Sequence, residues 1–281
     1  MLGHKLVQKW HDQFDLWTTV RTKHEKPEVK HVFDRDKILE NIDIENFQSV
    51  ENAVNEIEPE VIVNAVGIIK QIPTAKSVIK TLTINSIFPH RLAELSRQHG
   101  ARLITVSTDC VFNGKRGDYT ETDIPDAEDL YGKSKHLGEV ISENCLTIRT
   151  SIIGRELYTA HSLVEWFLSN RGKRIKGFVK AIFSGFPTVI MGEIVADIIT
   201  KHPELNGLYH ISSEPINKFE LLRLVNEAYH AGVDIEASED YKIDRSLNSD
   251  KFRQATGFKP LEWHKMVEIM AADNESYEGK N

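Results

Sequence analysis

The chain has 281 residues, 40% hydrophobic and 27% charged, the balance of an ordinary soluble globular protein with room for one large domain or a domain plus a smaller partner. Lys and Arg number 35 against 42 Asp and Glu, a formal charge of -7, so neither a nucleic-acid footprint nor a basic run for an anionic membrane surface is present. No apolar run reaches the roughly 18 residues that span a bilayer. The opening Met1–Lys5 lacks a secretory signal pattern. Two cysteines, Cys110 and Cys145, make no disulfide framework, and a reducing cytoplasm is the expected home.

In chain order, Leu2 to Gln13 reads as a helix and Leu16 to Val20 as a strand. Phe47 to Ile57 is periodic and helical, ended by Glu58-Pro59. Val61 to Val66 is a near-continuous apolar run, expected for a strand buried on both faces. Thr83 to His99 reads as a helix closed by Gly100, Arg102 to Ser107 as a buried strand, Tyr131 to Glu143 as a helix, and Leu146 to Ile152 as a strand. Strand and helix alternating at this pace predict an α/β fold, a Rossmann-like parallel sheet wound on both sides, over residues 1–152. After Gly154 the alternation weakens. Helices near Leu163–Ser169 and Phe219–His230, with glycines between them, predict a smaller C-terminal substrate-binding lobe over 153–281, some segments returning to the first domain. The tail from Asp273 is polar and expected to fray.

The strongest chemical signal is Tyr131-Gly132-Lys133-Ser134-Lys135. Positions four apart share a helix face, so Tyr131 and Lys135 project into one space. Reduction of a ketone needs a proton donor beside the carbonyl, and a tyrosine serves if its pKa, near 10, falls. An adjacent ammonium moves an acid by about 1–3 units, and Lys135 is placed to do so. Ser107-Thr108-Asp109 follows a buried strand at its carboxyl end, where sites in such sheets collect. Alone, Tyr-x-x-x-Lys also fits an exposed helix start; the strand ending in Ser-Thr-Asp selects the catalytic reading.

The run Ser107-Thr108-Asp109-Cys110-Val111-Phe112-Asn113-Gly114 followed by Tyr131-Gly132-Lys133-Ser134-Lys135 resembles the dTDP-4-dehydrorhamnose reductase branch of the extended short-chain dehydrogenase/reductases. So do Asn64-Ala65-Val66-Gly67, Asn85, Arg149-Thr150-Ser151 and Gly207-Leu208-Tyr209-His210-Ile211-Ser212, across almost the whole chain. The resemblance implies NAD(P)H-dependent reduction of the 4-keto group of a nucleotide-linked deoxysugar in cell-surface polysaccharide synthesis. It assigns Thr108, Tyr131 and Lys135 to catalysis, and Asn64, Ala65, Val66, Gly67, Asn85 and Ser107 to the cofactor side. Asp109, Cys110, Val111, Phe112 and Thr150 then fall on the substrate side. Dehydratases similar to this family carry Thr-Asp-Glu, whereas the third position here is Cys110. Epimerase-reductases carry a cysteine there and a histidine further on, which Cys110 and His161 match; packing is the simpler role for that thiol. Some relatives, such as the methionine adenosyltransferase beta subunit, are non-catalytic, and dimers are common in the class.

Dinucleotide folds place a glycine-rich turn between the first strand and first helix. Met1-Leu2-Gly3-His4-Lys5-Leu6 resembles the end of that motif, with Gly3 its last glycine; the earlier glycines and the strand before them are absent. The expectation is a functional protein carrying roughly ten more N-terminal residues, the length of a strand and a turn. Arg21 and Lys23, after Val20, favour NADP(H) over NAD(H), and Asp43 is placed near the adenine or caps a helix. Lys173-Arg174-Ile175-Lys176-Gly177-Phe178 is the one concentrated basic stretch, so Lys176, together with Arg245 of Asp244-Arg245-Ser246, is a candidate for the sugar diphosphate. The histidines and cysteines show no metal-ligand spacing.

Overall fold

The computed structural model describes residues 1–22, 37–70, 73–157, 159–273 and 277. Helix α1, Leu2–Trp10, buries Leu2, Leu6 and Trp10 at a spacing of four, one face of a helix. The Trp10 indole donates to Gly192 O at 3.0 Å. Buried Lys5 is ion-paired with Asp273 near the end of the chain. Strands β1 (Thr18–Thr19) and β2 (Ile38–Leu39) form a small parallel pair of their own. Helix α2 is Phe47–Ile57, as its periodicity predicts, and strand β3 is Val61–Asn64.

Helix α3 (Val78–Leu82) runs through a π turn, Thr83–Ile87, into α4 (Phe88–Gln98), one turn longer than the single helix expected there. The π turn sets Asn85 inward, a local widening that often accompanies function. Then follow β4 (Arg102–Val106), α5 (Leu130–Leu137) and β5 (Cys145–Arg149). The second half holds β6 (Ile152–Ile153), α6 (Leu163–Leu168), β7 (Arg174–Phe183), β8 (Phe186–Pro187), α7 (Thr188–Lys201), β9 (Gly207–His210), β10 (Ile216–Asn217), α8 (Lys218–Ala228), β11 (Asp234–Asp244), α9 (Asp250–Thr256) and α10 (Trp263–Ala272).

The central sheet is parallel in the order β3-β4-β5-β9. Its alternation is visible in the core. Leu103 and Cys145, in register, face Phe47, Val50, Phe88 and Leu92 of α2 and α4. Ile104, Leu146 and Ile148 face the other layer, with Leu2, Leu6, Ile190 and Ile194 of α1 and α7. This is the doubly wound α/β, Rossmann-like fold that the sequence predicts. The strand over Val61–Val66 departs from expectation: Val61, Ile62 and Val63 are only half-buried, and Val66 is 46% exposed. The reason is position, because β3 ends the sheet order and has a partner on one side only among the described residues.

The C-terminal half is entwined with the first: β9 completes the central sheet and α7 packs on α1. Its own sheet, β10-β7-β11, is a long ribbon whose basic and acidic strands pair off, Arg174 with Asp234 and Lys176 with Asp240, each at 2.6 Å.

Helix α5 is held unusually close to its neighbours. A Cβ on Gly132 would lie 2.2 Å from Cys110 O, and one on Gly138 would lie 1.9 Å from Asn85 O. The two glycines therefore seat both ends of the helix, and Gly138 also stops it well short of the expected Glu143. Replacing Gly138 with Ala should force the helix outward, costing about 1–3 kcal/mol of stability, a clear fall in melting temperature by circular dichroism.

Candidate active site

The site lies where β4 ends. Thr108, in extended backbone, caps the turn Asp109–Val111: its Oγ1 accepts from Cys110 N at 3.1 Å and donates to Asp109 Oδ1 at 3.1 Å. Asp129 caps α5 by accepting from Gly132 N at 2.8 Å and binds Lys70 Nζ at 2.6 Å. That lysine stands 5.4 Å over the Tyr131 ring. With Gly132 pressed on Cys110, the first turn of α5 brings the Tyr131 phenol beside Thr108, near enough for the threonine to act on its ionisation. One turn later Lys135 donates from Nζ to Val106 O at 2.7 Å, two residues before Thr108. Thr108, Tyr131 and Lys135 thus gather at the carboxyl end of β4.

The electrostatics differ in one respect from the sequence expectation. Burial, then the neighbouring Cys110, pushes the Tyr131 phenol up, opposed by the nearby Thr108; Lys135 does not bring it down. The phenol is held protonated, the form a proton donor must have. Burial lowers Lys135 to about 8, against the pull of the Glu139 carboxylate. Burial, then Asp109, raises the Cys110 thiol to about 12, so it is no base near neutral pH. His161, exposed at the start of α6, is tied by its backbone to Glu156 Oε2 at 2.8 Å.

The cofactor-side residues divide into two ranks. The first turn of α1, with Gly3, has no side-chain cap and no acidic residue, which suits an anion at a helix N-terminus. A Cβ on Gly67 would meet Asn85 Oδ1 at 3.4 Å and Lys135 Nζ at 3.9 Å, so the Ala65–Gly67 loop passes directly over the lysine. Lys135 has three protons to donate and places one on Val106 O. These features fit a dinucleotide: α1 for its phosphates, Lys135 and the Ala65–Gly67 backbone for the ribose beside the nicotinamide. Asn64, Asn85 and Ser107 stand behind. Asn64 bonds Thr105 Oγ1 and Val66 N. Asn85 spends its amide on both backbone groups of Ile68 and on Ser134 Oγ. Ser107 Oγ donates to Glu139 Oε1 at 2.7 Å. Arg21 is exposed just past β1; Lys23 lies outside the described residues. Asp43 takes the turn role, accepting from Glu45 N at 3.0 Å before α2.

The substrate-side residues fall in different surroundings. Val111 and Phe112 are fully buried in a satellite core with Tyr119 and Leu247, so they shape the cleft from behind. Lys176 is paired with Asp240 across the ribbon, and Lys180 likewise with Glu239, so β11 supplies an acid for Arg174, Lys176 and Lys180 of the basic stretch. Thr150 is buried, its carbonyl accepting from Asp109 N at 3.3 Å. Arg245 does reach the site region, donating to Phe112 O at 2.7 Å and acting on the buried Asp109 carboxyl, which burial raises.

Two residues escaped sequence reasoning. Lys218, first in α8, has its ammonium lowered by burial and acts on Asp109 and Cys110 across the lobes. No local pattern marks it, because its neighbours in space lie over a hundred positions away. Glu139 stands four residues beyond Lys135, the spacing that had marked the Tyr131–Lys135 pair. Among the described residues, no group of acids, histidines and cysteines could hold a metal, and no helix is long and apolar enough to cross a membrane.

Comparison with known proteins agrees with this architecture. The dTDP-4-dehydrorhamnose reductase of Aggregatibacter actinomycetemcomitans is 27% identical over 256 residues, 82% of this chain and 87% of that one. The methionine adenosyltransferase 2 subunit beta of Rattus norvegicus is 25% identical over 213 residues, 68% of this chain and 61% of the relative. Among solved structures, the dTDP-4-dehydrorhamnose reductase of Bacillus anthracis in complex with NADP shares the fold with a TM-score of 0.74 at 20% identity, covering 91% of this chain and 98% of the other. The family profile described as RmlD substrate binding domain matches residues 1–275, and the chain belongs to that family.

Proposed function

We propose that this protein reduces the 4-keto group of a deoxysugar carried on a nucleoside diphosphate, with NADPH preferred to NADH, in the cytoplasmic part of a polysaccharide pathway. The observation that carries the reading is the meeting of Thr108, Tyr131 and Lys135 at the tip of β4. The bound nicotinamide would supply the hydride to the ketone carbon. Thr108 and Tyr131 hold the carbonyl oxygen, and Tyr131 gives it the proton that completes the alcohol. Lys135 binds the adjacent ribose and keeps a positive charge beside the reacting groups. Lys218 and Arg245 bring positive charge from the second lobe to the substrate side.

A non-catalytic scaffold is the rival with a specific observation behind it, since a relative of about equal identity is named as a subunit of another enzyme. An epimerase is disfavoured by a Cys110 thiol that stays protonated. Exposed Val78, Ile79 and Leu137 on α3 and α5 support pairing with a second copy.

The direct test is NADPH oxidation on adding dTDP- or UDP-4-keto-6-deoxysugars. Turnover supports the reductase; deuterium uptake into the sugar without net oxidation points instead to epimerisation, and a stable partner without turnover to the scaffold. Tyr131→Phe should lower kcat by about 10²–10⁴-fold and spare cofactor binding measured by fluorescence. Wild-type kcat in that variant would remove Tyr131 from the chemistry.

The working form has Lys135 charged, so the rate should fall as pH rises through about 8, where the buried ammonium loses its proton. A flat profile from pH 7 to 9 would contradict this. Arg21→Ala should raise KM for NADPH about tenfold and leave KM for NADH within twofold, because only the former carries the extra phosphate.

A further inference from the structure

We propose that Glu139 is a positioning residue for the reduction: it ties α5 to the tip of β4 and so holds the Tyr131–Lys135 pair in register with Thr108. The assignment rests on the reductase reading above and adds a member to its machinery. The Glu139 side chain is only 4% exposed, although it sits just beyond the helix end. Gly138 lets the chain turn there against Asn85. Oε1 accepts from Ser107 Oγ and from Arg149 Nε, each at 2.7 Å. Oε2 accepts from Arg149 Nη2 at 2.7 Å and is bonded by His136 Nδ1 at 2.9 Å. Lys135 grips Val106 and Glu139, just past the end of the helix, grips Ser107, so two residues four apart hold two consecutive residues at the strand tip. The next residue is Thr108.

The charges around this carboxylate come from every element that packs on it. Arg149 faces it from β5, His136 from α5 and the Ser107 hydroxyl from β4. Behind Arg149, His210 of β9 takes a hydrogen bond at Nε2 (3.2 Å) and places Nδ1 on Tyr119 O (2.9 Å). That imidazole is neutral, its pKa lowered to about 4 by burial and then by Arg149. Glu139 is thus shared by two cations, Arg149 in direct contact and Lys135 at longer range. Its charge opposes the loss of the Lys135 proton. A buried ion pair is a poor device for stability alone, because desolvation cancels most of the attraction. Fixing a geometry and a protonation state is what such a pair does well.

Glu139→Gln removes the charge and sets an amide N–H against an arginine donor. With the protein folded by circular dichroism, kcat should drop at least about tenfold, a misplacement effect, while cofactor Kd stays within about twofold. The fall of rate with pH should move about one unit toward acid, since Lys135 loses its supporting charge. Ser107→Ala cuts only the tie to the strand: kcat should fall about three- to tenfold with the pH profile in place. A purely structural glutamate would lower the melting temperature and move neither the profile nor kcat, and that result overturns the proposal. If Glu139→Gln does not fold, wild-type kcat in Ser107→Ala overturns it. The titration of the Lys135 ammonium, followed by NMR in the free protein, is read without turnover. Should no 4-keto sugar be reduced by the wild type, the reductase reading fails, whereas an unshifted Lys135 titration in Glu139→Gln sinks the Glu139 assignment alone.

Discussion

The close seating of one short helix against the end of β4 and the π turn before α4 governs this molecule. Helix α5 has eight residues, too few to hold itself in place, since helices of that length are marginal in water. Its position is fixed by contact: Gly132 on Cys110 O and Gly138 on Asn85 O leave no room for a β-carbon at either end. Lys135 and Glu139 add polar ties to Val106 and Ser107. Every candidate catalytic group sits on α5 or on the strand tip that it grips. A displacement of the helix by one β-carbon would therefore change all of their separations together.

The same closeness sets the protonation states. Desolvation favours the neutral form of any group, so it raises the Tyr131 phenol and lowers the Lys135 ammonium. The outcome is a proton donor that keeps its proton and a cation near its titration point in the neutral range. A mechanism in which the lysine simply acidifies the tyrosine does not describe this arrangement, where burial outweighs the neighbouring charge. The second lobe contributes from the far side. Arg245 binds Phe112 O, Asp244 N binds Gly114 O at 2.8 Å, and Asp118 N binds Ser246 Oγ at 2.9 Å. The loop after Thr108 is consequently built from both halves of the chain, which makes the cleft a product of the whole fold.

The sequence was most legible where a local period carries the information. Phe47–Ile57 is a helix with apolar positions on one side, and its limits were readable; Arg102–Val106 is a buried run, and so was its type. Tyr131 and Lys135 share a helical face by spacing alone. Legibility ended where partners are remote. Arg174, Lys176 and Lys180 looked available because their acids, Asp234, Asp240 and Glu239, arrive on a strand some sixty residues later. Long strands β7 and β11 carry mixed charges on an exposed ribbon and lack the apolar signature of a core strand. Val61–Val63 looked doubly buried, a property conferred by neighbouring strands and absent where the sheet order ends. Phe112 looked like a site residue because it is near the motif in sequence, yet its ring stacks on Tyr119 with centroids 4.2 Å apart.

Family membership alone does not decide between enzyme and scaffold, since both kinds of protein resemble this chain. The energetics of Lys135 do bear on the choice. Its ammonium is desolvated, donates to Val106 O, and has its pKa lowered to about 8 by burial. Keeping such a cation in the interior opposes folding, and a methionine of similar length would remove the desolvation cost. A protein that used the fold only as a surface would gain stability from that exchange and lose nothing at its interface. On the proposed reading a reductase could not make it, because an uncharged side chain would not bind the ribose hydroxyls. On the proposed reading, the desolvated cation and the carboxylate placed to support it are accounted for by chemistry at this site.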